Sequence, residues 1–283
     1  SRFDLPRLVL ASDGFSGAYS ASRFSLSVSA VSGEGTGMER DYDFDSQRHF
    51  EDLRSPQSIG AEAGKRAARR NGPRTVPTGT VACLFEPRMA RSLVGHLAGA
   101  VNGASIVRGT SFLREKMSEQ VFRSGIRITD DPHITRGAAS RPFDGEGVGS
   151  AAFDLVDDGR ITSWLLDSTN AQQLGLQTNG RASRGGSSTS PSSSNLILHP
   201  GERTPEDMMK AMGTGLLVTE LIGQGVSLVT GDYSRGASGF WIENGEIAFP
   251  VSEITIASNL TNMFAAMEPA YDIDHRQSTL AAR

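Results

Sequence analysis

Phe240-Trp241-Ile242-Glu243-Asn244-Gly245-Glu246-Ile247-Ala248-Phe249 decides the fold class. An Asn-Gly pair flanked by apolar and aromatic residues is a strong hairpin signal, because the tight turn that matches strand twist needs positive φ at both central positions. Leu155-Val156-Asp157-Asp158-Gly159-Arg160-Ile161 repeats the pattern with Asp-Gly at the turn. Strands joined by two-residue turns pair antiparallel. Towards the N-terminus, Phe24-Ser25-Leu26-Ser27-Val28-Ser29 alternates apolar and small polar residues, the period-two mark of a half-buried strand. Arg40-Asp41-Tyr42-Asp43-Phe44-Asp45 alternates again beyond a turn cluster at 32–37, and Leu8-Val9-Leu10 precedes a turn at Ser12-Asp13-Gly14. Both ends of the chain therefore read as antiparallel sheet.

Helices interrupt the sheet. Residues 55–71 open with Ser55 as a cap and Pro56 in the first turn, carry Ile59, Ala63 and Ala67 on one stripe, and close at Asn71-Gly72. Their Lys65-Arg66 and Arg69-Arg70 pairs read as a solvated face. A strand at 80–85 leads into a second helix, with Pro87 at its start, a stripe of Met89, Leu93, His96, Leu97 and Ala100, and a stop at Asn102-Gly103. A third helix is expected at 111–118, and Thr204-Pro205-Glu206-Asp207 opens a last one. The Ser/Gly-rich stretch 182–194 has too little apolar surface to offset ordering entropy and reads as a flexible loop. The class is α+β, mainly antiparallel sheet with a few helices.

With 283 residues, 37 % hydrophobic, and 32 glycines, the chain has the composition of a globular protein long enough to bury a substantial core. Its 28 basic and 32 acidic residues leave a net charge of −4, which argues against a dedicated nucleic-acid binder. No apolar run approaches the ~18–20 residues of a membrane span. The opening Ser1-Arg2-Phe3-Asp4 has neither an initiator Met nor a signal-peptide pattern, and is read as part of something longer. Cys83 is the one cysteine, so an internal disulfide and a multi-cysteine metal site are excluded and a reducing compartment is expected.

The usual catalytic patterns are missing. The five histidines form no His-Glu-x-x-His helix, and no Gly-x-Ser-x-Gly elbow is present. Cys83 sits mid-strand in an apolar run and reads as a buried, inert thiol. Gly213-Thr214-Gly215 follows a helix instead of opening one, the wrong context for pyrophosphate. Asp130-Asp131-Pro132-His133 and Phe143-Asp144-Gly145-Glu146-Gly147 read either as Asx turns or as a surface beside a substrate groove.

Three stretches carry a family resemblance. Asp130-Asp131-Pro132-His133 with Arg141-Pro142-Phe143-Asp144-Gly145-Glu146-Gly147 is one, and Val218-Thr219-Glu220-Leu221-Ile222-Gly223-Gln224-Gly225-Val226 another. The third is Gly231-Asp232-Tyr233-Ser234-Arg235-Gly236-Ala237-Ser238-Gly239, running on to Pro250-Val251-Ser252-Glu253-Ile254. Together they resemble the TldD/PmbA family, PmbA (TldE) branch, from about Leu8 to Ile273. Residues 1–75 then correspond to part of the family's central β-rich region, after an N-terminal domain that is not in this sequence, and 76–283 to its C-terminal domain. The resemblance implies a cytoplasmic two-subunit metalloprotease acting on small unfolded peptides. A TldD-type subunit holds zinc through a His-Glu-x-x-x-His helix and a cysteine near its C-terminus, and the TldE-type subunit encloses the site.

Carried over residue by residue, that helix motif falls on Arg91-Ser92-Leu93-Val94-Gly95-His96, and the cysteine has no counterpart in 274–279. Arginine keeps its proton and cannot ligate a metal, and serine cannot replace a carboxylate base. No cofactor is expected in this chain, zinc is expected in a TldD-like partner, and this chain is expected to be inactive alone. His96 reads as a helix residue facing core or interface, and Gly95 as a relic of helix distortion or a close helix–sheet contact. Asp232, Tyr233, Ser234, Arg235 and Glu253 are the candidates for the subunit interface or the peptide chamber. The plainer reading of 231–236 is a tight turn in which Arg235 pairs with a local acid. Direct nucleic-acid and membrane contacts are not expected. A stand-alone peptide-binding module is the alternative function.

Overall fold

A computed structural model of the chain describes residues 1–10 and 14–271, and the backbone of 279–280. Ser12 and Asp13 of the expected first turn, and residues 274–278 at the expected cysteine-ligand position, lie outside the described residues. The first half runs β1 (Arg2–Leu10), β2 (Ser16–Ser32), β3 (Glu39–Gln47), α1 (Pro56–Arg69), β4 (Ala82–Phe85), α2 (Pro87–Ala100), α3 (Gly103–Val107), β5 (Ile128–Asp131), β6 (Phe153–Asp157) and β7 (Arg160–Ile161). The second runs α4 (Ser168–Gln173), β8 (Ala182–Gly185), β9 (Ser188–Pro191), β10 (Asn195–Leu198), α5 (Pro205–Met212), β11 (Gly215–Ile222), β12 (Asp232–Glu243), β13 (Glu246–Asn259), α6 (Leu260–Ala266) and β14 (Thr279–Leu280). The sheets are ordered β1-β2-β3, β14-β10-β5-β6-β7, β13-β12-β11-β4 and β8-β9. Pairing is antiparallel throughout except β10 with β14 and β11 with β4. The fold is α+β with β dominant, as the sequence implies. Both predicted turns carry the required backbone, with positive φ at Asp158 and Gly159 and at Asn244 and Gly245.

The first sheet is amphipathic in an unexpected sense. Leu26 pairs with Asp45, Val28 with Asp43 and Ala30 with Asp41, so the apolar stripe of β2 and the three aspartates of β3 share one face. All three aspartates are buried. The basic side of α1, read above as solvated, reaches two of them. Arg66 bonds Asp43 at 3.2 Å, Arg70 approaches Asp41 at 3.5 Å and also pairs with Glu220, and Arg88 of α2 bonds Asp41 at 2.8 Å. The solvated reading is therefore wrong for Arg66 and Arg70. Buried carboxylates opposite the helix make charge pairing worth more than hydration.

Helix α2 spans two cores. Met89 joins Leu216, Val218, Ala237 and Val251 beside the β13-β12-β11-β4 sheet. Leu93, Val94 and Leu97 enter the larger cluster, where Phe122 stacks on Phe264 at 4.8 Å. Each such side chain stabilises by about 1.5–3 kcal/mol when fully buried, so the helix is anchored along its length.

Three local expectations are corrected. Residues 111–118 form turns, because Ser111 donates its hydroxyl to the Ala100 carbonyl while accepting from the Leu113 amide, and Ser118 takes positive φ. The short third helix lies earlier: Asn102 accepts from the Ala104 amide and caps α3 after α2 has ended. The stretch read as a flexible loop forms the β8–β9 hairpin. Its ends are rooted by buried Arg181, Ala182 and Ser194, a polar anchorage that an apolar tally misses. Gly95 makes no close contact, for a Cβ there would meet no heavy atom within 4 Å.

Candidate functional site

The side chains at the motif positions of α2 point into different surroundings. Arg91 lies over the Phe44 ring at 5.2 Å. Ser92 donates its hydroxyl to the Met89 carbonyl at 2.6 Å, the back-bond typical of a mid-helix serine. His96 meets Tyr233 of β12 edge-on, ring centroids 6.1 Å apart. Tyr233 is 1 % exposed. Both its hydroxyl and Nε2 of His96 are buried without a hydrogen-bond partner among the described residues. Desolvation and then the charge of Arg235 hold the His96 imidazole below its usual pKa. Burial pushes the Tyr233 phenol up, against the opposing pull of Arg235. His96 is thus half-buried with Nε2 turned inward, and one imidazole beside a guanidinium and a back-bonded hydroxyl does not fit zinc. Among the described residues no three His, Cys, Asp or Glu side chains are grouped to hold a metal.

Residues 232–236 are strand, and only Gly231, with positive φ, belongs to the turn before β12. Among the described residues Arg235 pairs with no acid; it donates Nε to the Ile222 carbonyl and Nη2 to the Leu221 carbonyl, both at 3.3 Å, and so clamps the end of β11. Asp232 accepts from the Thr230 hydroxyl at 2.6 Å and the Asn259 amide at 3.3 Å, fastening the turn before β12. Ser234 is exposed, opposite Ala257. Glu253 stands apart on β13, exposed and with φ of 56°, where Ala237 and Gly239 pair with Ile254 and Val251 and leave one residue of β12 against two of β13. Gly239 is required beside this bulge, since a Cβ there would run into the Leu217 carbonyl oxygen. Tyr233 and Arg235 thus share the His96 side, while Asp232, Ser234 and Glu253 do not join them.

The acidic turns serve mainly as scaffold. Asp131 accepts from the His133 amide at 2.7 Å, an Asx turn, and Asp144 accepts from the amides of Glu146, Val148 and Ala182. Cys83 is half-buried, and burial pushes its thiol up to about 11 from 9.0. The two-unit shift leaves about a hundredfold less thiolate than in an unfolded chain near neutral pH. Alkylation by iodoacetamide at pH 8 is expected to be slower by about that factor in the native protein than in urea. Equal rates would show a reactive thiol.

Sequence profiles of the PmbA/TldA metallopeptidase family match residues 7–71, its central domain, and residues 78–282, its C-terminal domain. The chain belongs to the PmbA/TldD family. Its place in the PmbA/TldE branch follows from 44 % identity over 253 residues to the metalloprotease PmbA of Escherichia coli O157:H7, covering 89 % of this chain and 54 % of that protein. A candidate modulator of DNA gyrase from Thermotoga maritima shares the fold with a TM-score of 0.91 at 27 % identity, over 99 % of this chain and 65 % of that one. TldE from Thermococcus kodakarensis has the same fold, with a TM-score of 0.85 at 23 % identity over 95 % and 62 % of the two chains. The PmbA/TldE-branch chain spans little more than half the length of the curated relatives it matches, 54 % and 58 % for two of them. No helix among its described residues is long and apolar enough to cross a membrane.

Proposed function

We propose that this chain is the core of a zinc-less subunit in a two-subunit metallopeptidase that degrades or trims unfolded peptides in the cytoplasm. The observation that carries the reading is the state of α2: the motif positions hold a guanidinium seated on Phe44, a hydroxyl committed to Met89, and a half-buried imidazole edge-on to Tyr233. Zinc and the general base then belong to a TldD-like partner, and this chain walls the chamber. Strand β13 is an edge strand of its sheet, with Arg74 bridging it only at Val251 among the described residues. A peptide added along such an edge is held by main-chain bonds and read weakly by sequence.

The test is reconstitution. The full-length protein and its TldD-like partner are purified separately, mixed, and followed by complex size and by cleavage of an unstructured peptide. Chelator-sensitive cleavage confined to the mixture is expected. A stable complex without cleavage, or equal cleavage by the full-length protein alone, overturns the reading. In the first case a stand-alone peptide-binding role takes its place.

A further inference from the structure

The outer edge of β13 is closed at one end and open beyond it. Arg74 donates its amide to the Pro250 carbonyl at 2.9 Å and accepts from the Ser252 amide at 3.4 Å, so the segment around Arg74 lies alongside β13 and runs parallel to it. Past Ser252 no other strand pairs with that edge among the described residues. The bulge stands at this boundary. Glu253 takes the left-handed conformation, φ 56°, which side chains of its kind rarely adopt, and a bulge re-aims the side chain it carries. Glu253 is exposed, and among the described residues no hydrogen bond or ion pair engages its carboxylate. The guanidinium of Arg74 is seated on the Phe249 ring at 4.6 Å. From Ile254 to Ser258 the edge then runs for about 16 Å, at about 3.3 Å per residue. Ile254 and Ile256 pack against the smaller core, while Thr255, Ala257 and Ser258 are exposed.

We propose that the edge from Ile254 to Ser258 takes a peptide as an added parallel strand, with the peptide's free α-amine on the Glu253 carboxylate. An open edge presents unpaired main-chain donors and acceptors that hold a peptide whatever its sequence. The carboxylate at the closed end then selects the charged N-terminus. Two observations set the orientation. The Arg74 segment shows that this edge accepts a neighbour running parallel to β13, and a parallel peptide brings its N-terminus to the Glu253 end. An antiparallel one brings its C-terminal carboxylate there, against a like charge. The inference rests on the peptide-handling role proposed above. It adds the substrate feature that this subunit reads, the free N-terminal end, which fixes how far along the peptide a partner's site reaches.

Binding tests it. Fluorescence anisotropy on the full-length protein compares an unstructured peptide, labelled at its C-terminal end and carrying a free α-amine, with the same peptide N-acetylated. The free amine is expected to bind about threefold tighter, the size of an exposed ion pair, with the margin shrinking as salt rises. Glu253→Gln should remove that margin and leave the affinity for the acetylated peptide unchanged. A margin that survives in this variant places the amine elsewhere and overturns the proposal. Equal affinity of wild type for the two peptides, or binding of neither, overturns it without any variant having to fold. A free-amine preference beside an inactive reconstituted mixture leaves the edge standing and removes the peptidase reading; an active mixture with no such preference does the reverse.

Discussion

Asp130→Ala is expected to destabilise the protein by about 3–5 kcal/mol, the range for removing one partner of a buried ion pair. Asp130 and Arg181 are both fully buried. Oδ1 of Asp130 accepts Nε of Arg181 at 2.6 Å, Oδ2 accepts the Ser194 amide at 2.8 Å, and the Ser194 hydroxyl donates to the same carboxylate. Arg181 also donates to the carbonyls of Asn179 and Ala151, each at 2.8 Å, and stacks over Phe153 at 4.7 Å. Without the carboxylate its charge stays buried with only carbonyl dipoles to hold it. Since natural domains are stable by about 5–15 kcal/mol, a loss of this size is visible in urea unfolding at pH 7. Replacing both residues, as Asp130→Ala with Arg181→Met, should recover part of the loss because no orphaned charge remains. A single variant that loses under about 1 kcal/mol would show that water reaches the pair.

That prediction marks where the sequence stopped being legible. The Asn244-Gly245 and Asp158-Gly159 hairpins could be read because one local requirement, positive φ at two adjacent residues, selects those side chains directly. Helices α1 and α2 could be read from their opening prolines and apolar stripes. Helix α6 was missed although Asn259 caps it by accepting from the Thr261 amide, because seven residues are too short to display a period. The polar anchors at Asp130, Arg181 and Ser194 could not be read, since 64 residues separate Ser194 from its partner and a serine-rich composition resembles a loop. Of the candidate site, α2 was legible as an element, and the alignment of Arg91, Ser92 and His96 with a metal motif is what the family resemblance implies. The burial of the charged face of β3 was not legible. Tyr42 and Phe44 alternate with aspartates, and a strand with an apolar and a charged face is ordinarily taken to bury the apolar one.

The inverted face of β3 yields the second large effect. Asp41→Asn is expected to cost about 3 kcal/mol or more at pH 7, because Arg88 and Arg70 lose a shared buried counter-charge. Burial alone would raise the Asp41 carboxyl, but hydrogen bonds from the Arg88 side chain and the Tyr42 amide, with the charges of Arg88 and Arg70, outweigh it and hold the group below its usual 3.8. The sign of the pH effect follows. As pH falls, the unfolded chain takes up its proton first, so the contribution is complete above the unfolded value and is lost as pH drops through the lowered one. The stability gap between wild type and Asp41→Asn should therefore be widest near neutrality and close progressively below about pH 4, where protonated Asp41 resembles the amide. Thermal unfolding of both proteins from pH 7 to pH 3 measures it, and a gap that stays constant over that range would mean Asp41 acts through shape alone. Arg88 sits one turn before Arg91 on α2, and it joins Asp41 and the Tyr42 carbonyl, at 2.8 and 2.9 Å, to the helix that carries the motif. Loosening that tie is expected to free β3 from α2.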